Sequence, residues 1–433
     1  MQKGMRVKMS LVKKDYRKRL VDEKIDKYLK IFGAISIEGP KWCGKTWTAL
    51  SHAESVTYMT ERGPRDLAKV DPKYIFNPKR PQLIDEWQLV PSIWDSVRNE
   101  CDNSRDTGKF ILTGSTSLYK NEKEEEVFHS GTGRIATMRM YPMSLYESGD
   151  STGDVSILDM LSGNVTGKYI RKVELDELAK LIIRGGWPAN IEIEDIAVIP
   201  ESYIESIVTK DIHERKDRKR DTNKMRMLLR SLARNESTVA GNDTLVKDIE
   251  QYENQSELIE SRQTVADYLG VLNSLYLTCN QEAFSLNYRS SKRIGKSPKR
   301  HLVDPSLSCS CLDLSVEKLL NDHETFGLMF EALVERDLRI YMEYLDGHLY
   351  HFRDNTSGDE VDAILEFRNG DYAAIEIKLS DGSIEDAKKS LQIFYKNVKK
   401  KPKFMCIIVG HYEAVIQEPE TGIYILPITS LKP

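Results

Sequence analysis

Eight consecutive residues, Gly39-Pro40-Lys41-Trp42-Cys43-Gly44-Lys45-Thr46, follow the phosphate-binding pattern G-x-x-x-x-G-K-[ST] without a gap. Such a loop has to lie between a buried strand and a helix, because its backbone N–H groups converge on an anion at a helix amino end. Both neighbours fit. Ala34-Ile35-Ser36-Ile37 is short and mostly apolar, as a buried parallel strand is, and Thr46-Trp47-Thr48-Ala49-Leu50 can open a helix. All eight residues are therefore candidates to hold ATP. The glycines let the backbone turn inward, Lys45 can reach the β and γ phosphates, and the Thr46 hydroxyl can sit on Mg²⁺. A chance match in an ordinary strand-to-helix turn is the alternative.

With 433 residues the chain is long enough for two or three domains. Hydrophobic residues at 40% and charged residues at 30% exclude a disordered chain and indicate a soluble, globular one. The formal net charge of −4 averages over local runs of opposite sign. Basic residues cluster at Lys13 to Arg19, at Arg215 to Arg220 and from Lys292-Arg293 to Lys299-Arg300, and the acidic run Glu122 to Glu126 offsets them. Each basic run is either a phosphate-backbone contact or a solvated face. The cysteines Cys43, Cys101, Cys279, Cys309, Cys311 and Cys406 are scattered, and the pair Cys309-x-Cys311 alone is not a zinc pattern. No signal peptide or long apolar stretch is evident, so a reducing cytoplasm and no membrane are expected.

Three segments follow along the chain. Residues 9–148 alternate strand-like and helical stretches, which argues for a parallel α/β sheet. Gln82 to Glu86 reads as a strand ending in two carboxylates, and Lys109 to Thr116 as one ending in hydroxyls. In open α/β sheets ligands sit beyond the carboxyl ends of the strands, so these ends should converge on the loop. Residues 149–305 turn helical. Val265, Tyr268, Leu269, Leu272 and Leu275 have helical spacing, either as a winged-helix recognition helix or as an ordinary packed helix. Residues 315–433 return to α/β. A helix over Thr325 to Tyr344 precedes a strand His348 to Phe352. Strands Glu360 to Phe367 and Tyr372 to Leu379 are joined through the hairpin signal Arg368-Asn369-Gly370-Asp371, and a helix Ala387 to Val398 and a strand Phe404 to Val409 complete the unit.

Within the first segment, Asp85 is placed to hold Mg²⁺ and its neighbour Glu86 to orient or deprotonate an attacking water. Capping of the next helix is the alternative for this acidic pair. Thr113 and Ser115 are candidates to hydrogen-bond the γ-phosphate, although Thr-Gly-Ser is also ordinary turn chemistry. Arg134 is a candidate charge stabiliser, in cis or in trans, with a simple surface arginine as the alternative.

These residues resemble the AAA-type ATPases that carry a C-terminal domain of unknown function. The resemblance rests on Gly39 to Thr46, on Leu83-Ile84-Asp85-Glu86-Trp87-Gln88-Leu89-Val90-Pro91, on Leu112 to Ser115, on Gly133-Arg134 leading to Tyr141 to Glu147, and on Arg184-Gly185-Gly186-Trp187-Pro188. It implies ATP hydrolysis with Mg²⁺ and suggests a winged-helix middle part. AAA-like relatives act as rings when an arginine reaches a neighbour's nucleotide, so a homo-oligomer is left open.

The third segment holds a second constellation. Glu376 and Lys378 are two apart and share a sheet face, Asp362 lies on the partner strand, and Glu331 lies on the preceding helix. Carboxylates and a lysine so placed can bind Mg²⁺ or Mn²⁺ and activate water, with Glu331, Asp362 and Glu376 as ligands and Lys378 as charge stabiliser. An exposed ion pair on a strand is the alternative. The array resembles the PD-(D/E)XK nuclease fold, with Gln392 on the following helix as a further point of likeness. The expected architecture is thus α/β: an AAA-like P-loop sheet, a helical winged-helix-like middle and a nuclease-like C-terminal part. Two function classes lead. One is an ATPase that binds, remodels or cleaves DNA, and the other is an ATP-controlled DNA-binding regulator that cuts nothing. A small-molecule NTPase or kinase ranks last, because no acceptor-binding motif is evident.

Overall fold

The apolar runs of the first segment assemble as five parallel strands. In a computed structural model, which describes residues 11–116, 131–210, 221–252, 262–285, 297–354 and 359–433, these are β1 (Ala34–Glu38), β2 (Ser55–Tyr58), β3 (Gln82–Asp85), β4 (Phe110–Gly114) and β5 (Ile135–Arg139). Their order is β2-β3-β4-β1-β5. The register sets Glu38 beside Gly114 and Arg139, and Asp85 beside Thr113 and Tyr58, so every strand ends along one edge. Both sheet faces are covered, which is why β3 and β4 are buried throughout instead of alternating. On one face Ala34, Ile84, Phe110 and Leu112 pack with Ile93 and Val97 of a helix over Ser92–Asp102. On the other, Ile35, Ile37, Leu83 and Ile111 pack with Ile25 of α1 (Val21–Leu29) and Ala49 and Leu50 of α2 (Lys45–His52).

The chain divides into two compact units, Met1–Tyr141 with Ser274–Tyr276, and Pro142–Asn273 with Leu277–Pro433. In the second, a sheet of eight strands among the described residues includes His348–Arg353, Glu360–Glu366, Tyr372–Ser380 and Met405–His411. The hairpin expected at Arg368 to Asp371 joins Glu360–Glu366 to Tyr372–Ser380, with Ala363 opposite Ile375 and Glu366 opposite Tyr372. Leu391 and Phe394 of the helix Ile384–Asn397 pack against Tyr372, Ala374 and Ile407 of the sheet. The helical residues Val265, Tyr268, Leu269 and Leu272 are buried along Arg262–Ser274, as their spacing predicts. Among the described residues no helix is long and apolar enough to cross a membrane.

Two basic runs contain members that are placed otherwise than expected. Arg19, Lys299 and Arg300 are buried, so these members are neither a phosphate-contacting surface nor a solvated face. Arg300 instead donates to the Ala240 carbonyl (2.7 Å) and Asn242 Oδ1 (2.9 Å). Arg215 to Arg220, Lys292-Arg293 and Glu122 to Glu126 lie outside the described residues.

The first unit contains a titrating pair. His52, at the end of α2, meets Asp22 at 2.9 Å and Asp26 at 2.8 Å, and Tyr16 donates its hydroxyl to Asp22 at 2.7 Å. Burial alone would lower His52, but the hydrogen bonds and charges of Asp22 and Asp26 outweigh it and raise it above its ordinary 6.5. A raised histidine contributes stability below its unfolded value and loses it as pH rises through the folded one. The wild-type thermal midpoint should therefore lose this contribution as pH rises above 6.5 and through the raised folded value, and His52→Gln should flatten that slope. An unchanged slope in the variant would show that the pair does not act on stability.

Candidate functional site

The P-loop follows β1 directly, and two of its glycines are required by geometry. A Cβ on Gly39 would stand 2.1 Å from the Met140 carbonyl oxygen at the end of β5. Gly44, at φ 103°, occupies the left-handed region as it leads into α2. Between them Pro40 and Cys43 are buried, Lys41 is half-buried, and Trp42 is 46% exposed at φ 64°. Lys45 is buried, and its amine donates to the Gly39 (3.0 Å) and Pro40 (2.7 Å) carbonyls, across the inside of the loop.

Adjacent strand ends bring the acidic pair to this loop. Asp85 Oδ1 accepts from the Thr46 hydroxyl (2.8 Å) and from the Thr113 hydroxyl (2.7 Å). Burial raises the Asp85 carboxyl, and these two hydroxyls together with Lys45 pull against that rise. Glu86 leaves the strand at φ 55°, ψ 47°, an uncommon conformation for a non-glycine residue. Its Oε2 accepts from the Ser115 hydroxyl at 2.9 Å and from the Gln88 amide. Thr113 and Ser115, expected to meet a phosphate, thus serve as hydroxyl partners of the two carboxylates. The Thr46 hydroxyl and Asp85 carboxylate are hard oxygen donors side by side, a set that fits Mg²⁺.

Arg134 is not brought to its own chain's loop. It precedes β5 at the opposite end of the sheet, where its carbonyl accepts from Ala34 N (3.1 Å) and its guanidinium pairs with Asp102 (2.7 Å). The five residues of β1 separate that edge from Gly39, roughly 16 Å along the strand. Order in the sequence did not reveal this, because a residue one step ahead of a parallel strand lies at its amino end.

Three residues near the loop escaped the sequence reading. Arg19, only 4% exposed, donates to the carbonyls of Cys43 (2.8 Å) and Tyr141 (2.9 Å), which ties the loop to the end of the sheet. Its place inside a basic run concealed this use. Tyr276 donates its hydroxyl to Glu38, the residue before Gly39, and no local pattern signals that contact. Gln88 stood in the Asp85-Glu86 phrase, and its role as a Glu86 partner emerges only from the turn at Glu86.

In the second unit Glu331, Asp362, Glu376 and Lys378 do come together. Asp362 lies where the pairing of Glu360–Glu366 with His348–Arg353 shifts register between Val361 and Ile364, an irregularity that re-aims a side chain. The Lys378 amine lies 2.7 Å from Glu376 and 3.3 Å from Asp362. Ser390 donates to Glu376 at 3.0 Å and Ile377 N to Asp362 at 2.8 Å. A second amine, from Lys299, lies 2.5 Å from Glu331 and 3.7 Å from Asp362. Burial raises Glu331 and Glu376. Burial also acts to raise Asp362, but the two ammonium groups reverse that and hold it low. Among the described residues no group of three His, Cys, Asp or Glu side chains is arranged to hold a metal ion. Gln392 is half-buried on the helix Ile384–Asn397.

A parallel sheet ending in a phosphate loop, with an acidic pair on the next strand but one, defines a P-loop NTPase domain. Residues 32–149 match the family model described as "AAA domain", and the chain therefore carries an AAA-type P-loop ATPase domain. Residues 175–318 and 326–431 match two models described as domains of unknown function, DUF8612 and DUF4143. A comparison with curated proteins finds no match. Among solved structures, the Walker-type ATPase PABY2304 of Pyrococcus abyssi is 12% identical, with 70% of this chain and 98% of that one covered at a TM-score of 0.40. The RuvB Holliday junction branch migration motor of Thermotoga maritima is 15% identical, with 60% and 88% covered at 0.26. The ORC1 protein of Aeropyrum pernix in complex with DNA is 12% identical, with 71% and 96% covered at 0.23. Likenesses this loose say nothing further about this chain.

Proposed function

We propose that this chain hydrolyses ATP with Mg²⁺ and uses the turnover to switch its remaining domains. The carrying observation is the junction at Asp85, where one carboxylate oxygen accepts from Thr46 of the loop and Thr113 of the next strand, with the adjacent Glu86 carboxylate held by Ser115. ATP would lie along Gly39 to Thr46, with loop N–H groups and the Lys45 amine on the phosphates. Mg²⁺, bound through Thr46 and Asp85, would neutralise phosphate charge. Glu86 takes a proton from water as the water oxygen bonds to the γ-phosphorus, and the bond to the bridging oxygen of ADP breaks. The Ser115 and Gln88 contacts fix the Glu86 carboxylate in one orientation. Phosphate release from ATP should require Mg²⁺ and stop with EDTA. A purified chain that binds ATP but releases no phosphate under any condition would sink the hydrolase reading.

DNA is the partner class proposed for the rest of the chain, in the form of an ATP-controlled binding module that does not cleave. Residues 149–305 are read as winged-helix-like. The helices Thr222–Arg234, Asn242–Tyr252 and Arg262–Ser274, followed by antiparallel bridges Thr278↔Leu302 and Gln281↔Lys299, support this. Residues 315–433 are read as nuclease-like, supported by the convergence of Glu331, Asp362, Glu376 and Lys378. If duplex DNA is held through its phosphates, affinity should fall steeply with added salt. A flat salt response would remove this partner.

A further inference from the structure

The cation in the carboxylate cluster of the second unit comes from the chain itself. Lys299 is 2% exposed, and its amine stands 2.5 Å from Glu331, 3.7 Å from Asp362 and 3.9 Å from Glu360. Lys299 is not a surface side chain that happens to reach inward. Its backbone exchanges two 3.0 Å hydrogen bonds with Gln281, whose side-chain amide in turn donates to the carbonyls of Asp362 (3.1 Å) and Tyr350 (2.9 Å). The lysine is thereby pinned to the strand that bears Asp362. Lys299 joins Glu331 to Asp362, and Lys378 joins Asp362 to Glu376.

A Mg²⁺ or Mn²⁺ ion needs several oxygens at about 2.0–2.2 Å around one point. The point shared by Glu331 and Asp362 is held by an ammonium group, and a dication cannot be added beside it without strong like-charge repulsion in a buried setting. Withdrawing the amine would leave it buried and unpaired. We propose that Lys299 is the resident cation of this cluster, standing where a divalent metal would have to sit. The nuclease-like part then works without metal-dependent strand scission. This rests on the nuclease-like reading of residues 315–433 and is independent of the ATPase reading.

The test is Mn²⁺ binding to the full chain without nucleotide, with free Mn²⁺ followed by electron paramagnetic resonance. Wild type and Asp362→Asn should withhold the same amount of ion. Lys299→Ala should withhold about one further Mn²⁺ per chain, and the double variant Lys299→Ala with Asp362→Asn should lose it again. Mn²⁺ held by wild type and lost in Asp362→Asn would overturn the proposal. So would a folded Lys299→Ala that gains no ion, with Lys299→Met in its place if the shorter side chain prevents folding. Loss of ATP turnover in a loop variant affects neither outcome.

Discussion

Lys45→Ala should lower ATP turnover by about two to three orders of magnitude or more, and should weaken nucleotide binding with it. The amine is buried against the Gly39 and Pro40 carbonyls, on the inner side of the loop where phosphate oxygens would lie. Binding ATP exchanges those neutral acceptors for charged ones, and charge-assisted hydrogen bonds are roughly twice as strong as neutral ones. Glu86→Gln provides the contrast. It keeps the size of the side chain and a group for Ser115 and Gln88 to hold, but removes the base, so turnover should fall about 10²–10⁴-fold with ATP affinity little changed. Phosphate release and fluorescent-nucleotide titration separate the two effects. A Lys45→Ala protein that turns over normally would overturn the site, and a Glu86→Gln protein that does so would reassign the base alone.

Arg336→Ala should destabilise the second unit by about 3–5 kcal/mol, the usual consequence of stripping one partner from a buried charge group. Arg336 is 3% exposed as a side chain and lies between two fully buried carboxylates, 3.0 Å from Asp304 and 2.7 Å from Asp337. Those carboxylates are also occupied elsewhere. Asp304 accepts from Gly186 N (2.9 Å), and Asp337 from Leu145 N (2.9 Å). Removing the arginine leaves two carboxylates buried without the counter-ion they share, one of them the acceptor that holds the turn at Gly185-Gly186-Trp187. Burial already raises Asp337 and the arginine pulls it back down, so losing the arginine removes the main group that opposes that rise. Arg336→Lys should recover only part of the loss, since an ammonium lacks the planar fork that serves both acids. Denaturant unfolding measures the change, and a shift below about 1 kcal/mol would mean that water reaches the pair.

The first unit was legible where backbone pattern and chemistry coincide. Ile35, Ile37, Leu83, Ile84, Ile111 and Leu112 mark strands through apolar runs, and the register of parallel strands then carries Asp85 and Thr113 to the loop. The helix and hairpin of residues 323–380 were also recoverable, because turn residues and periodicity act locally. What escaped depends on long-range placement. Arg19 and Lys299 looked like surface charge, since a basic run does not reveal which member points inward. Arg134 looked close to the site because Gly133 and the strand after it fit the family pattern, yet its end of the strand faces the wrong way. The carboxylates of the second unit were found by spacing, whereas Lys299 comes from a segment with no motif of its own.

Ser274–Tyr276 clusters with the first unit although it lies far downstream in the chain. The AAA family boundary at residues 32–149 is accordingly a boundary of resemblance and not of folding. A fragment cut there would leave out Arg19, so the Cys43 and Tyr141 carbonyls lose their donor, and Tyr276, so Glu38 loses its hydroxyl just ahead of the phosphate loop. The nucleotide site is stitched from three stretches of one polypeptide. A unit assembled this way is expected to keep its phosphate loop in place only when all three stretches are present.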